Sequence, residues 1–122
     1  MAAGHLISIV DDDASMREAL VGLVRSLGYE VRDFASAEDF LSSNDLQQFS
    51  CAITDIQMPG MNGFELKCEL STRHSSLPVI MITSRAEPGI EERAMSSGAT
   101  CFLRKPFEVE TLVNCLQRVL GN

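Results

Sequence analysis

The sequence predicts an α/β domain built on a parallel sheet, and three observations carry that prediction. Strand and helix signals alternate five times along the 122 residues, the pattern of repeated βα units. The apolar runs Leu6-Ile7-Ser8-Ile9-Val10, Cys51-Ala52-Ile53-Thr54, Val79-Ile80-Met81-Ile82 and Cys101-Phe102-Leu103-Arg104 lack strict alternation, as strands buried on both faces do. Each run ends on a residue able to do chemistry: Asp11-Asp12-Asp13, Asp55, Thr83 and Lys105-Pro106. A parallel sheet gathers its carboxyl ends along one edge, where ligands bind in open α/β folds.

Strand one is predicted over residues 5–10. Helix one follows over 14–27, capped by Asp12 or Asp13 and stopped by Gly28, with Met16, Leu20, Leu23, Val24 and Leu27 on one face. Strand two, residues 29–34, alternates more and is expected at an edge. Ser36-Ala37-Glu38-Asp39 resembles a capping box with Asp in place of Glu and opens a short helix carrying Phe40 and Leu41. Residues 42–50 read as a polar loop, and residues 51–55 as strand three. The turn formers Met58-Pro59-Gly60-Met61-Asn62-Gly63 lead to helix three over 64–71. Pro78 precedes strand four, which ends at Thr83. A loop over 84–89 leads to helix four over 90–97, anchored by Ile90 and Met95 and ended by Gly98. Strand five is predicted over 100–104 and helix five over 108–120, with Val109, Leu112, Val113, Leu116, Val119 and Leu120 at helical spacing. No repeat, linker or low-complexity segment interrupts these units, so residues 1–122 are read as one domain.

A net charge of −7 argues against direct contact with nucleic acid, since phosphates repel an acidic surface. The 45% hydrophobic content contains no run of membrane-spanning length, and Met1-Ala2-Ala3-Gly4-His5 has no signal-peptide pattern; a cytoplasmic location is expected. Cys51, Cys68, Cys101 and Cys115 show neither a CxxC pair nor metal-ligand spacing and read as structural thiols. His5 and His74 read as surface residues.

The chemistry concentrates at the strand ends. Asp11, Asp12 and Asp55 meeting at one edge need a counter-charge. Two like charges about 4 Å apart repel by roughly 4 kcal/mol at a protein-surface dielectric. A hard divalent cation relieves this, and an all-oxygen site suits Mg²⁺. Lys105 neutralises part of the remainder, and Thr83 offers a hydroxyl donor. Carboxylate, Mg²⁺, ammonium and hydroxyl together fit a phosphoryl group, which a carboxylate can accept as an acyl phosphate. Asp55 stands alone at the end of the central strand and is assigned as acceptor, with Asp11 and Asp12 as metal acids. Taken singly, each residue has an ordinary reading: a helix N-terminus for the acidic run, a strand-end hydroxyl for Thr83 and a solvated ammonium for Lys105. Their joint order along the strand ends is what carries the assignment.

Over nearly its whole length the chain resembles a response-regulator receiver domain of bacterial two-component signalling. The segments that carry the resemblance are Ile9-Val10-Asp11-Asp12-Asp13, Thr54-Asp55-Ile56-Gln57-Met58-Pro59-Gly60-Met61-Asn62-Gly63, Val79-Ile80-Met81-Ile82-Thr83-Ser84 and Leu103-Arg104-Lys105-Pro106-Phe107. The wording is most similar to the nitrogen-fixation and nodulation regulators that join a receiver to a C-terminal helix-turn-helix output. The resemblance implies a flavodoxin-like, doubly wound, five-stranded parallel sheet of order 2-1-3-4-5 with five helices. It implies phosphate transfer to Asp55 from a sensor histidine kinase, and Mg²⁺ bound by Asp12, Asp55 and the Gln57 backbone carbonyl, with Asp11 acting partly through water. It also implies a Thr83–Phe102 switch, Gln57 and Arg85 beside the path of attacking water, and a cis Lys105-Pro106 bond. A DNA-binding output module outside these residues and a phosphorylation-dependent homodimer follow from the same likeness. Three alternatives compete. A haloacid-dehalogenase-like phosphatase would use Asp11 as nucleophile and Asp13 as acid, but leaves Asp55 idle. A flavodoxin-like electron carrier would need a Ser/Thr/Gly phosphate loop where the acids stand. A degenerate receiver would not need the complete set of Asp11, Asp12, Asp55, Thr83 and Lys105.

Overall fold

The computed structural model describes residues 4–74, 76–85 and 87–121. Ala86, inside the loop predicted over 84–89, and residues 1–3, read for a targeting signal, lie outside them. In chain order the elements are β1 (Leu6–Val10), α1 (Ala14–Ser26), β2 (Glu30–Phe34), α2 (Ala37–Leu41), a 3₁₀ turn (Leu46–Gln48), β3 (Cys51–Asp55), α3 (Gly63–Arg73), β4 (Val79–Thr83), α4 (Ile90–Ser96), β5 (Cys101–Arg104) and α5 (Val109–Leu120). All pairings are parallel and the strand order is β2-β1-β3-β4-β5. This is the doubly wound order that the family resemblance implied, and the element ends differ from prediction by at most two residues.

Side-chain alternation divides the sheet between two apolar layers. Ile7, Ile9, Ile53, Ile80, Ile82 and Leu103 pack with Leu20 and Val24 of α1 and Leu112 and Leu116 of α5. Val10, Ala52, Val79 and Met81 pack on the other side with Phe40, Leu66, Leu70, Ile90 and Ala94 from α2, α3 and α4. All five residues of β3 and of β4 are buried, which explains their unbroken apolar runs. β2 is an edge strand with one buried residue, Val31, in agreement with its mixed composition.

Local chemistry sets the helix ends. Asp13 caps α1 by accepting from the Ser15 and Met16 amides, and Gly28 takes a positive φ just beyond that helix. The Ser36 hydroxyl accepts from the Asp39 amide at the start of α2. A full reciprocal capping box opens α3, where Asn62 and Glu65 each accept from the other's backbone N–H. The N-x-x-E spacing of Asn62 and Glu65 is the sequence signal for it.

Three expectations need correction. The polar loop 42–50 contains a 3₁₀ turn with buried Leu46 and, just after it, buried Phe49. Phe49 stacks edge-on with Phe40, ring centroids 5.2 Å apart, and with Phe34 at 6.1 Å, so an isolated aromatic in a polar stretch closes one end of the core. His5 and His74 are half-buried rather than surface residues: their ring nitrogens reach Ser50 Oγ at 3.3 Å and the Phe49 carbonyl at 3.2 Å. Met95 does not anchor α4; it is 46% exposed, and Ile90 and Ala94 hold the helix instead. Of the cysteines, Cys51, Cys101 and Cys115 are buried, Cys68 is exposed and all are free thiols.

The Phe34–Phe40–Phe49 cluster gives a test of this account. Phe49→Ala should lower the unfolding free energy by about 3 kcal/mol or more, read as a shifted urea midpoint, because the buried ring leaves a cavity that backbone pinned in a 3₁₀ turn fills poorly. A loss below about 1 kcal/mol would mean that the segment folds on as an ordinary surface loop.

Candidate functional site

Parallel pairing in this register places the ends of β1, β3, β4 and β5 along one edge of the sheet, Val10 beside Thr54, Asp55 beside Ile82 and Thr83 beside Arg104. Asp11 and Asp12 follow β1, Asp55 ends β3, Thr83 ends β4 and Lys105 follows β5. Carboxylate oxygens of Asp11, Asp12 and Asp55 all lie within 4.8 Å of one another. Asp11 and Asp55 are buried, whereas Asp12 is exposed and forms the solvent side of the cluster.

Each acid is held differently. Asp11 Oδ1 accepts from the Asp13 amide at 2.9 Å, and its backbone carbonyl accepts from Arg17 Nη1 at 2.7 Å. Lys105 Nζ stands between the acids, 3.3 Å from Asp11 Oδ2 and 4.0 Å from Asp55 Oδ2. The ammonium therefore leans toward Asp11 rather than toward Asp55. The Lys105-Pro106 peptide is cis, as the resemblance implied.

Asp55 is left in a costly state. Its Oδ1 is fully buried with no hydrogen-bond partner among the described residues. Burial pushes its pKa up to about 6; the Lys105 charge pulls the other way, and Asp11 and, more weakly, Asp12 add to the rise. Three convergent carboxylates with an orphaned buried oxygen form an all-oxygen donor set suited to a hard divalent cation, and the residues present fit one.

The backbone around Asp55 is also fixed. A Cβ on Gly63 would lie 2.7 Å from the Asp55 carbonyl oxygen and 3.0 Å from Ile56 Cα, so only glycine lets α3 start this close to Asp55. Glu38, reaching across from α2, accepts from the Met61 amide at 3.1 Å and pins the loop between β3 and α3. Sequence reading missed both: Gly63 read as one turn former among several, and Glu38 as part of a cap.

The remaining sequence-predicted residues are placed as follows. Thr83 is buried, and its hydroxyl donates to Gln57 Oε1 at 2.6 Å rather than pointing at an acid. Phe102 is half-buried in β5 against the layer that holds Ile90 and Ala94, with the Arg104 guanidinium 5.8 Å from its ring centroid. Arg85 is exposed, and with Gln57 it borders a cavity of about 530 Å³ that also touches Asp12, Phe64 and Arg93.

The raised pKa of Asp55 makes a signed prediction for metal-free protein. Between pH 3.8 and about 6 the folded state binds more protons than the unfolded state, so stability present at low pH is lost as pH rises through that window. With a chelator present, Asp55→Asn should therefore be more stable than the parent by on the order of 2 kcal/mol at pH 7.5 and nearly equal to it at pH 4, read from denaturant midpoints. A difference that does not change with pH would contradict a strained Asp55.

Comparison with known proteins agrees with this geometry. The family model described as "Response regulator receiver domain" matches residues 7–117. Nodulation protein W of Bradyrhizobium diazoefficiens is 37% identical over 111 residues, a match covering 91% of this chain and 49% of the relative. Transcriptional regulatory protein FixJ of the same organism is 35% identical over 117 residues, covering 96% of this chain and 57% of the relative. The chain thus spans about half the length of these curated relatives. The solved chemotaxis protein CheY4 of Vibrio cholerae superposes with a TM-score of 0.87 at 33% identity, covering 97% of this chain and 100% of that one. The reading as a dehalogenase-like phosphatase finds no support in these matches, which follow the chain from the first strand through most of the last helix. Sequence, strand order and the acidic edge converge, and the chain belongs to the response regulator receiver domain family.

Proposed function

We propose that residues 1–122 act as the phosphoacceptor domain of a longer regulator, with Asp55 taking a phosphoryl group from a phosphohistidine on a sensor histidine kinase. The observation that carries this reading is the close cluster of Asp11, Asp12 and Asp55, with a buried Asp55 oxygen that has no hydrogen-bond partner among the described residues. In the transfer, an Asp55 carboxylate oxygen forms the new P–O bond while the donor's P–N bond breaks, and the imidazole nitrogen keeps that electron pair. Loss of the phosphoryl group later needs only water. The domain catalyses its own modification and release, and is otherwise a signalling element rather than an enzyme.

Asp12, Asp55, the Gln57 backbone carbonyl and Asp11 through water would hold Mg²⁺. Its chemistry, when bound, is to neutralise the acids and the charge on the transferring oxygens. Lys105, already within 4.0 Å of Asp55, offsets part of the same charge from the α5 side. Thr83 supplies a hydroxyl that can bond a phosphoryl oxygen once it is released from its resting partner, and Phe102 follows it inward to change the surface around β5. Likeness to regulators such as Transcriptional regulatory protein FixJ supports a linked transcription-controlling output module, and homodimer formation on phosphorylation is part of the same proposal.

Incubation with Mg²⁺ and acetyl phosphate, followed by intact mass measurement, should add one phosphoryl group to the chain. The label should be absent in Asp55→Asn, and Asp12→Ala should lose at least about 90% of it, since two acids alone hold the cation too weakly. The labelled sample should elute as a dimer and the unlabelled one as a monomer. Label retained in Asp55→Asn would move the acceptor elsewhere in the acid cluster.

A further inference from the structure

The Thr83–Gln57 contact has a consequence beyond positioning. A threonine hydroxyl has one proton to give. Thr83 Oγ1 lies 2.6 Å from Gln57 Oε1 and 3.3 Å from the Arg85 carbonyl, so the proton goes to the much shorter contact. A separation of 2.6 Å suits O–H···O, with Gln57 Oε1 as the acceptor. The Arg85 amide donates back to Thr83 Oγ1 at 3.1 Å, so the hydroxyl is bonded both as donor and as acceptor. Meanwhile Asp55 Oδ1, at the end of the neighbouring strand, is buried without a donor. The hydroxyl that could serve the acceptor site is committed elsewhere.

We propose that the Gln57 side chain is a positioning residue that latches Thr83 in the resting conformation by holding its only hydroxyl proton, so that the switch is released when a phosphoryl oxygen at Asp55 outcompetes the amide oxygen for that proton. This rests on Asp55 being the phosphoacceptor. An anionic phosphoryl oxygen is the stronger acceptor, because charge-assisted hydrogen bonds are about twice as strong as neutral ones. The freed amide has somewhere to go: Gln57 and Arg85 border the cavity of about 530 Å³ beside Phe64 and Arg93. Release also slackens the segment after β4, because the Arg85 amide is tied to the same hydroxyl. One residue is thereby given two tasks, its backbone carbonyl as a proposed cation ligand and its side chain governing the switch.

The test compares the wild-type chain, Gln57→Met, Gln57→Glu, Thr83→Val and the Gln57→Met/Thr83→Val double variant. Two quantities are read: amide hydrogen exchange over residues 84–90 without modification, and apparent affinity for beryllofluoride with Mg²⁺. Loss of one net hydrogen bond should speed exchange in Gln57→Met about fivefold and tighten beryllofluoride binding by a similar factor. Gln57→Glu, whose carboxylate keeps an acceptor oxygen at the same reach and adds charge assistance, should exchange no faster than wild type. In the Thr83→Val background Gln57→Met should change neither quantity. Unaltered exchange in Gln57→Met, fast exchange in Gln57→Glu, or effects that persist without the Thr83 hydroxyl would each overturn the latch. Exchange in β1 and β3 controls for folding. A wild-type chain that fails to bind beryllofluoride would instead remove the phosphoacceptor reading, while the exchange comparison would still decide the latch.

Discussion

Like-charge repulsion among Asp11, Asp12 and Asp55 is the constraint on which the rest of this molecule turns. Left alone, three carboxylates within 4.8 Å would disperse, protonate or pull the strand ends apart. They stay because their positions are set by β1 and β3, whose paired residues Ile7, Ile9 and Ile53 are fully buried between two helical layers. The sheet holds a charge arrangement that the acids themselves oppose. Lys105 relieves it in part, and its lean toward Asp11 leaves Asp55 the less compensated of the two buried acids. A site so arranged attracts a cation and rewards any modification that brings new partners to Asp55.

Support for the site is layered outward from that point. Gly63 lets α3 begin against the Asp55 carbonyl, and Glu38 fixes the intervening loop from α2. On the other flank Thr83 is bonded to Gln57 and to the Arg85 amide, joining β4 to the loop after β3. Asp55 is closely backed by α3 on one side and bordered by hydrogen-bonded side chains on the other. In the proposed switch, that asymmetry would pass a change at Asp55 toward β5 and Phe102 while the sheet stays intact.

The sequence made the fold and the acids legible because both are written in local patterns. Strands buried on both faces leave unbroken apolar runs, and their carboxyl ends carry the chemistry, so Asp11, Asp12, Asp55, Thr83 and Lys105 could be grouped although nearly a hundred residues separate the first from the last. Contacts that depend on exact approach could not be read this way. Phe49 sits in a polar stretch, and its burial follows from Phe34 and Phe40 arriving from other elements. Gly63 looks like any turn glycine until the Asp55 carbonyl is placed 2.7 Å from its missing Cβ. Met95 fits a helical apolar spacing but faces outward, because α4 is short and Ile90 with Ala94 already fills its contact with the sheet. The partner chosen by the Thr83 proton is decided by tenths of an ångström, which no spacing rule encodes.

The most direct measurement of the central claim is the dependence of the unfolding midpoint on Mg²⁺ concentration at neutral pH, for the wild-type chain and Asp12→Ala. A cation that binds the folded acid cluster and not the unfolded chain must raise the midpoint progressively, by mass action. The account predicts that rise in the wild-type chain, together with a higher starting midpoint and a nearly flat response in Asp12→Ala. A wild-type midpoint that does not respond to millimolar Mg²⁺, or an Asp12→Ala response equal to it, would contradict the claim that repulsion among these three acids makes the site.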